Sequence, residues 1–193
     1  MPEHGKSGDD TDVVDLLLAQ HGQIKNALES VRDSTGAERQ RRFDDLVRLL
    51  AVHESAEEEV VHPAARRHSV AKEIVDDRLH EEDEAKHALA RLAEIGVDHA
   101  DFDGAFRAFA DKVVAHAEKE EKEEFGQLIT QASREERVRL ANVVRFAEAV
   151  APTRPHPGVG ESAAANLLAG PPLAVFDRIR DAIRDRRRQS GDA

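Results

Sequence analysis

Two segments, HESAEEEVVHP (residues 53–63) and HAEKEEKEEFG (residues 116–126), share one skeleton: a histidine, a glutamate four residues on, and another glutamate directly after. Imidazole and carboxylate are groups that move protons or ligate metals. On a helix, a spacing of four sets His53 beside Glu57, and His116 beside Glu120, on one face. Those faces are otherwise apolar. Leu46, Leu49 and Leu50 continue the stripe of the first pair, and Phe106, Phe109 and Val113 that of the second. His21 lies in the same way among Leu17, Ile24 and Leu28, so it too is expected to point inward.

Burying bare carboxylates and imidazoles is costly unless each is paired or coordinated. Hydrogen bonds can satisfy one such pair. Donors converging from several helices are more simply explained by cations, and two cations match their number. The chain has no cysteine, which excludes disulfides, thiolate ligands and a cysteine nucleophile. Nitrogen and oxygen donors without sulfur suit iron, manganese or zinc. Carboxylates can bridge two metals about 3.5–4 Å apart. Glu57 and Glu120 are therefore expected as bridges, with His53 and His116 as terminal ligands.

Helices must position these groups. Apolar residues recur at three- and four-residue intervals and strand-like alternation is scarce, so the fold is expected to be all-α. A first helix runs from near Thr11 to about Arg32 and is broken by DSTGAE. Thr35 with Glu38 reads as a capping box opening a second helix, which passes through His53 toward Arg67 and which Pro63 should kink or stop. A third covers about residues 70–95 and stops at Gly96, and a fourth runs from near Asp101 to about Ile129. A fifth opens at Ser133 with Glu136 and ends before Pro152. Long helices with short connections predict an antiparallel four-helix bundle. The chain also repeats itself: the stripe Leu17, His21, Ile24, Leu28, Val31 recurs in spacing 61 residues later as Arg78, Glu82, Ala85, Leu89, Leu92, and the two His-x-x-x-Glu motifs lie 63 residues apart. Two helical hairpins of one design should face each other.

With 193 residues the chain suits one bundle domain over residues 11–150, preceded by a flexible N-terminus (1–10) and followed by a tail (151–193). The tail combines a Pro/Gly-rich linker with AVFDRIRDAIRDRRR, a short basic amphipathic helix that is expected to dock on the bundle or on another subunit. A net charge of −11 argues against nucleic acid as partner. No apolar run approaches the ~20 residues of a membrane span, and no hydrophobic export segment opens the chain, so a cytoplasmic protein is expected.

Over roughly residues 12–150 the chain resembles the hemerythrin-like (HHE cation-binding) proteins. The resemblance rests on His21-x-x-Ile24, on HESAEEEVVHP and on HAEKEEKEEF; the tail, PTRPHP through FDRIRDAIRD, looks like the C-terminal extension of many actinobacterial members. It implies a four-helix bundle with a non-haem di-iron centre that binds or reacts with O₂, peroxide or nitric oxide, catalase-like turnover of peroxide being one such chemistry. A metal-dependent sensing module, and a structural bundle whose interior His and Glu pair with one another, are the alternatives.

The chain departs from that family in its third helix. Members usually supply a histidine there, and counting back from Leu89 and Leu92 the matching position is Glu82, which also corresponds to His21 in the internal repeat. His80 is the alternative, but two residues are about 200° of helix rotation. A second third-helix histidine of classical members is replaced, with Arg78 and Lys86 at those places. The aromatic before Pro63 is His62, and the proline expected after Phe125 is Gly126. The expected ligand set is thus His21, His53, Glu57, Glu82, His116 and Glu120, three imidazoles and three carboxylates. His62 is expected at most to support the ligands from behind. Glu54, Glu58 and Glu121 are expected as solvated charges, although a rotation of the helix would bring Glu54 to the metals; His80 and His87 are expected as solvated charges too, and His4, His68, His99 and His156 lie in tails or near helix ends.

Overall fold

A computed structural model describes residues 11–68 and 70–150 of the chain, with no side chain described after residue 146. The segments expected as a flexible N-terminus, a linker and a basic C-terminal helix, and with them His4 and His156, lie outside the described residues. Among the described residues seven α-helices follow in order: α1 (Val13–Arg32), α2 (Gly36–Ala56), α3 (His62–Arg67), α4 (Lys72–Ile95), α5 (Phe102–Lys119), α6 (Phe125–Gln131) and α7 (Arg134–Val150). Two π turns, Glu57–Val61 and Glu120–Glu124, join α2 to α3 and α5 to α6, so each pair is one long rod. The bundle has four rods, with α7 laid across α1 and α2.

Helix starts and stops follow local chemistry. Asp12 caps α1 by accepting from the backbone N–H groups of Val14 (3.0 Å) and Asp15 (3.2 Å), and its other oxygen accepts from Arg137 of α7 (3.0 Å). Ser133 caps α7 by accepting from the N–H of Glu136 at 3.2 Å. The expected box at Thr35 does not form: Thr35 makes no capping bond, and Gly36 enters the helix with φ +53°. A left-handed first residue turns the threonine hydroxyl away from the N–H groups it would meet, and Glu38 pairs instead with Arg41 and Arg42. Gly96 ends α4 at φ +80°, ψ 156°, a conformation open to glycine.

Pro63 does not stop the second rod. Its ring would collide with a carbonyl one turn back and it has no N–H to donate; the π turn immediately before it absorbs the conflict by widening the helix. His62 N–H bonds the carbonyl of Glu57, and Phe125 N–H that of Glu120, the five-residue step of a π turn. The second π turn has Gly126 where the first has Pro63. Proline is therefore not the shared cause; the shared element is the His-x-x-x-Glu segment that each π turn follows.

Among the described residues the apolar interior forms two large clusters and a small third one of Ala65, Val70 and Val75. One large cluster (Ile24, Leu28, Phe43, Leu46, Leu89, Leu92, Phe102, Phe106 and their neighbours) fills one end of the bundle, with Phe43 edge-on to Phe102 at 5.6 Å. The other large one (Val14, Leu17, Ala56, Val61, Phe125, Leu128, Ala141, Val144 and neighbours) is sealed by α7. Three of the rods thus run from one large cluster to the other through a polar gap occupied by His21, His53, Glu57, His116 and Glu120, and α4 runs from the first cluster to the small one at Val75. Among the described residues no helix is long and apolar enough to cross a membrane.

Candidate metal centre

Six potential donors converge in the gap from all four rods. Ligand atoms of His21, His53, Glu57 and Glu120 lie within 4.8 Å of one another, and so do those of Glu57, Glu82, His116 and Glu120. The two quartets share Glu57 and Glu120, whose side chains are fully buried. His21 Nε2 stands 3.8 Å from Glu57 and 3.4 Å from Glu120, His53 Nε2 is 3.3 Å from Glu57, and His116 Nε2 is 3.5 Å from Glu120. None of these approaches has hydrogen-bond geometry: both oxygens of Glu57 and of Glu120, together with Nε2 of His21 and of His116, are buried without a hydrogen-bond partner. Several bare lone-pair donors aimed at one small volume fit a pair of cations.

The opposite ring nitrogens are held from behind. Nδ1 of His21 donates to Glu121 (2.9 Å), that of His53 to Gln20 (2.8 Å) and that of His116 to Glu81 (3.0 Å). Such partners fix the tautomer and aim Nε2, the usual outer support of a metal-bound imidazole. Phe125 stacks on His21 with ring centres 5.6 Å apart. The internal repeat reappears in three dimensions: Gln20 and Glu81, 61 residues apart, hold His53 and His116, which are 63 apart.

Electrostatics show what the metal-free protein does with this charge. Burial alone would lower His21, but the Glu120 and Glu57 carboxylates raise it to about 10. Burial acts in the same sense on His116, and Glu120 again outweighs it, to about 10. His53, fully enclosed and facing the charge of His21, is pushed down to about 3. Burial and the nearby Glu120 push Glu57 up to about 7, whereas Glu120, despite its burial, is held below the usual carboxylate range by His116 and His21. Protons do here what a cation would do, and metal uptake must displace them.

Several residues are placed otherwise than the spacing predicts. Glu54 is buried with an unpartnered oxygen, and burial followed by the charge of Glu82 raises its pKa well above the usual value. Glu58 is mostly buried and pairs with the buried Lys86, and Glu121 supports His21. None of the three is a simple solvated charge. Glu58 and Glu121 lie within the π turns, which change the phase of the face that a straight helix would present, whereas Glu54 lies in α2 ahead of the first π turn and is enclosed by the packing of the rods. Glu82 is fully buried, and His80 is exposed and pairs with Glu84. His87 is exposed beside Asp83. His68 donates to the Glu136 carboxylate at 2.7 Å, and His99 is exposed.

Glu124 was not among the expected donors. It is fully buried, brought inward by the second π turn, and it forms a third group of close ligand atoms with His62 and Glu120. The only sequence signal for it is a charge at the position where the first motif carries Val61.

A cavity of about 240 Å³ between α4 and α5 reaches this centre, lined by Glu54, His116, Glu81, Ala85, Val113 and Lys119 among others.

Comparisons with known proteins give the fold and the family. A hemerythrin-like protein of Schizosaccharomyces pombe is 22% identical over 174 residues, covering 89% of this chain and 86% of that protein. The crystal structure of a hemerythrin HHE cation binding domain-containing protein from Mycobacterium kansasii has the same fold, with a TM-score of 0.66 at 19% identity, over 72% of this chain and 86% of that one. The family model for the hemerythrin HHE cation binding domain matches residues 12–128, which span every one of the six expected donors. The chain belongs to the hemerythrin HHE cation-binding domain family.

Proposed function

We propose that the chain is a non-haem di-iron protein whose centre binds or reacts with O₂, peroxide or nitric oxide. The observation that carries this reading is the pair of donor quartets sharing Glu57 and Glu120. His21 and His53 would complete one position, Glu82 and His116 the other. Manganese or zinc would also be accepted by nitrogen and oxygen donors. When bound, two irons supply redox and Lewis-acid chemistry toward small oxygen- or nitrogen-containing ligands.

The chain supplies the rest. Gln20, Glu81 and Glu121 keep Nε2 of each imidazole aimed inward. The two large apolar clusters exclude bulk water above and below. The cavity of about 240 Å³ admits a diatomic molecule or a peroxide with room to spare, and Glu54 lines its inner end. Three carboxylates against three imidazoles make a donor set richer in anionic oxygen than that of a classical oxygen carrier. Anionic donors favour the higher oxidation state, so the centre should rest ferric and carry O₂ reversibly only poorly.

Reconstitution with iron followed by peroxide tests this. The expected result is an absorption band that changes on peroxide addition with oxygen evolved. A stable oxy-complex in air would contradict the resting state proposed, and an unresponsive band would favour a sensing role.

A further inference from the structure

The internal repeat relates the two halves of the centre, and three of its departures lie together. Under its offsets of 61 on α1/α4 and 63 on the long rods, His21 corresponds to Glu82, Lys25 to Lys86, Glu58 to Glu121, Val61 to Glu124 and His62 to Phe125. In one half, His21 stacks on Phe125 and donates to Glu121, and Lys25 lies 3.6 Å from the same Glu121. In the other half, Glu58 has no imidazole to support and pairs with Lys86. Three of the residues that differ lie together, with His62 in contact with both Glu82 and Glu124. His62 Nε2 lies 2.6 Å from Glu82 Oε1 and its Nδ1 lies 3.0 Å from Glu124 Oε1.

Each carboxylate thereby gives one oxygen to His62. The second oxygen of Glu82 and the second oxygen of Glu124 are buried with no hydrogen-bond partner. Both residues are fully enclosed, and a ligand oxygen of Glu124 lies within 4.8 Å of one of Glu120. We propose that Glu124 is a further metal donor and that His62 is a positioning residue, clamping Glu82 and Glu124 so that each offers one oxygen to the second cation position.

The two positions are then inequivalent. The first has two imidazoles, His21 and His53; the second has His116 alone among carboxylates. Oxygen donors suit manganese and iron, whereas imidazole also suits zinc and copper, so the second position discriminates toward the harder cation. This rests on the di-metal reading above and refines it.

Cation titrations of the full chain test the inference, with manganese(II) followed by its paramagnetic signal and zinc(II) as competitor. Two binding phases are expected for the unaltered chain. Glu124→Val and His62→Phe, each the residue at the repeat-related position, should weaken one phase by about 10–100-fold and leave the other unchanged. The combination Glu82→His, His62→Phe, Glu124→Val copies the first half into the second; it should restore two phases while shifting the weaker one toward zinc. Circular dichroism establishes folding, and if the apolar variants do not fold, Glu124→Gln and His62→Gln carry the same expectation. Folded variants that bind two manganese ions with unaltered affinity would overturn the clamp. An unaltered chain that binds no cation would instead defeat the di-metal reading itself.

Discussion

His53 donates through Nδ1 to Gln20 at 2.8 Å, which leaves the Nε2 lone pair 3.3 Å from the carboxylate of Glu57 one helical turn away. A lone pair facing a carboxylate repels it unless a cation lies between them, and burial keeps this imidazole neutral. Gln20 therefore fixes the imidazole in the state that a metal requires. Gln20→Leu keeps the volume and removes the acceptor. It should lower metal affinity about 10–100-fold with the helical signal intact, as measured by competition against a chelator; unchanged affinity would show that Gln20 has no such role.

The α4 donor is tested by a pair of substitutions. Glu82 is fully buried at the centre, and His80 is 74% exposed. Glu82→Gln should cost metal occupancy, read by elemental analysis, while His80→Ala should leave both occupancy and melting temperature near those of the unaltered chain. The opposite pattern would place the α4 ligand at His80.

Acidity links stability to metal uptake. In the metal-free protein His21 and His116 are raised to about 10, from about 6.5 in the unfolded chain. Their contribution to stability is complete below pH 6.5 and is lost as pH rises through about 10, because the folded state binds more protons in that window. Metal must displace those same protons, so its affinity rises over the same range. From pH 7 to 10 the chelator-treated protein should melt at progressively lower temperature, with a slope on the order of 1 kcal/mol per pH unit for each group. The gap to the metal-loaded protein should widen. A metal-free melting temperature that climbs over this interval would contradict the assignment.

Two phenylalanines separate stability from metal binding. Phe43 is fully buried in the cluster away from the donors, and Phe125 is fully buried against His21. Either one changed to Ala should cost about 3–5 kcal/mol in chemical denaturation. Phe43→Ala should retain full metal content when folded, whereas Phe125→Ala should also lose affinity, since the His21 ring is no longer held.

The helices, the two hairpins and the inward aim of His21, His53, Glu57, Glu82, His116 and Glu120 were legible because each sits on an apolar stripe of α-helical period. The π turns were not. A five-residue step leaves no periodic trace, yet it shifts the phase of everything beside and beyond it. Glu58 therefore pairs with Lys86 rather than with solvent, and Glu124 and His62 turn inward, whereas Glu54, ahead of the first π turn, is buried by the packing of one rod on the next. Pro63 marks one π turn by removing a donor, but Gly126 gives the other no equivalent mark. Gln20 and Glu81 were invisible for a different reason: each neighbours a candidate ligand on its own helix, and only the packing of one helix on the next shows which imidazole it supports.

Metal analysis of protein purified from iron-replete cells tests the central claim most directly. Two quartets of donors sharing Glu57 and Glu120 predict about two iron ions per chain, falling sharply in His53→Ala and His116→Ala. A folded chain that holds no metal as isolated and takes up none on reconstitution would contradict it.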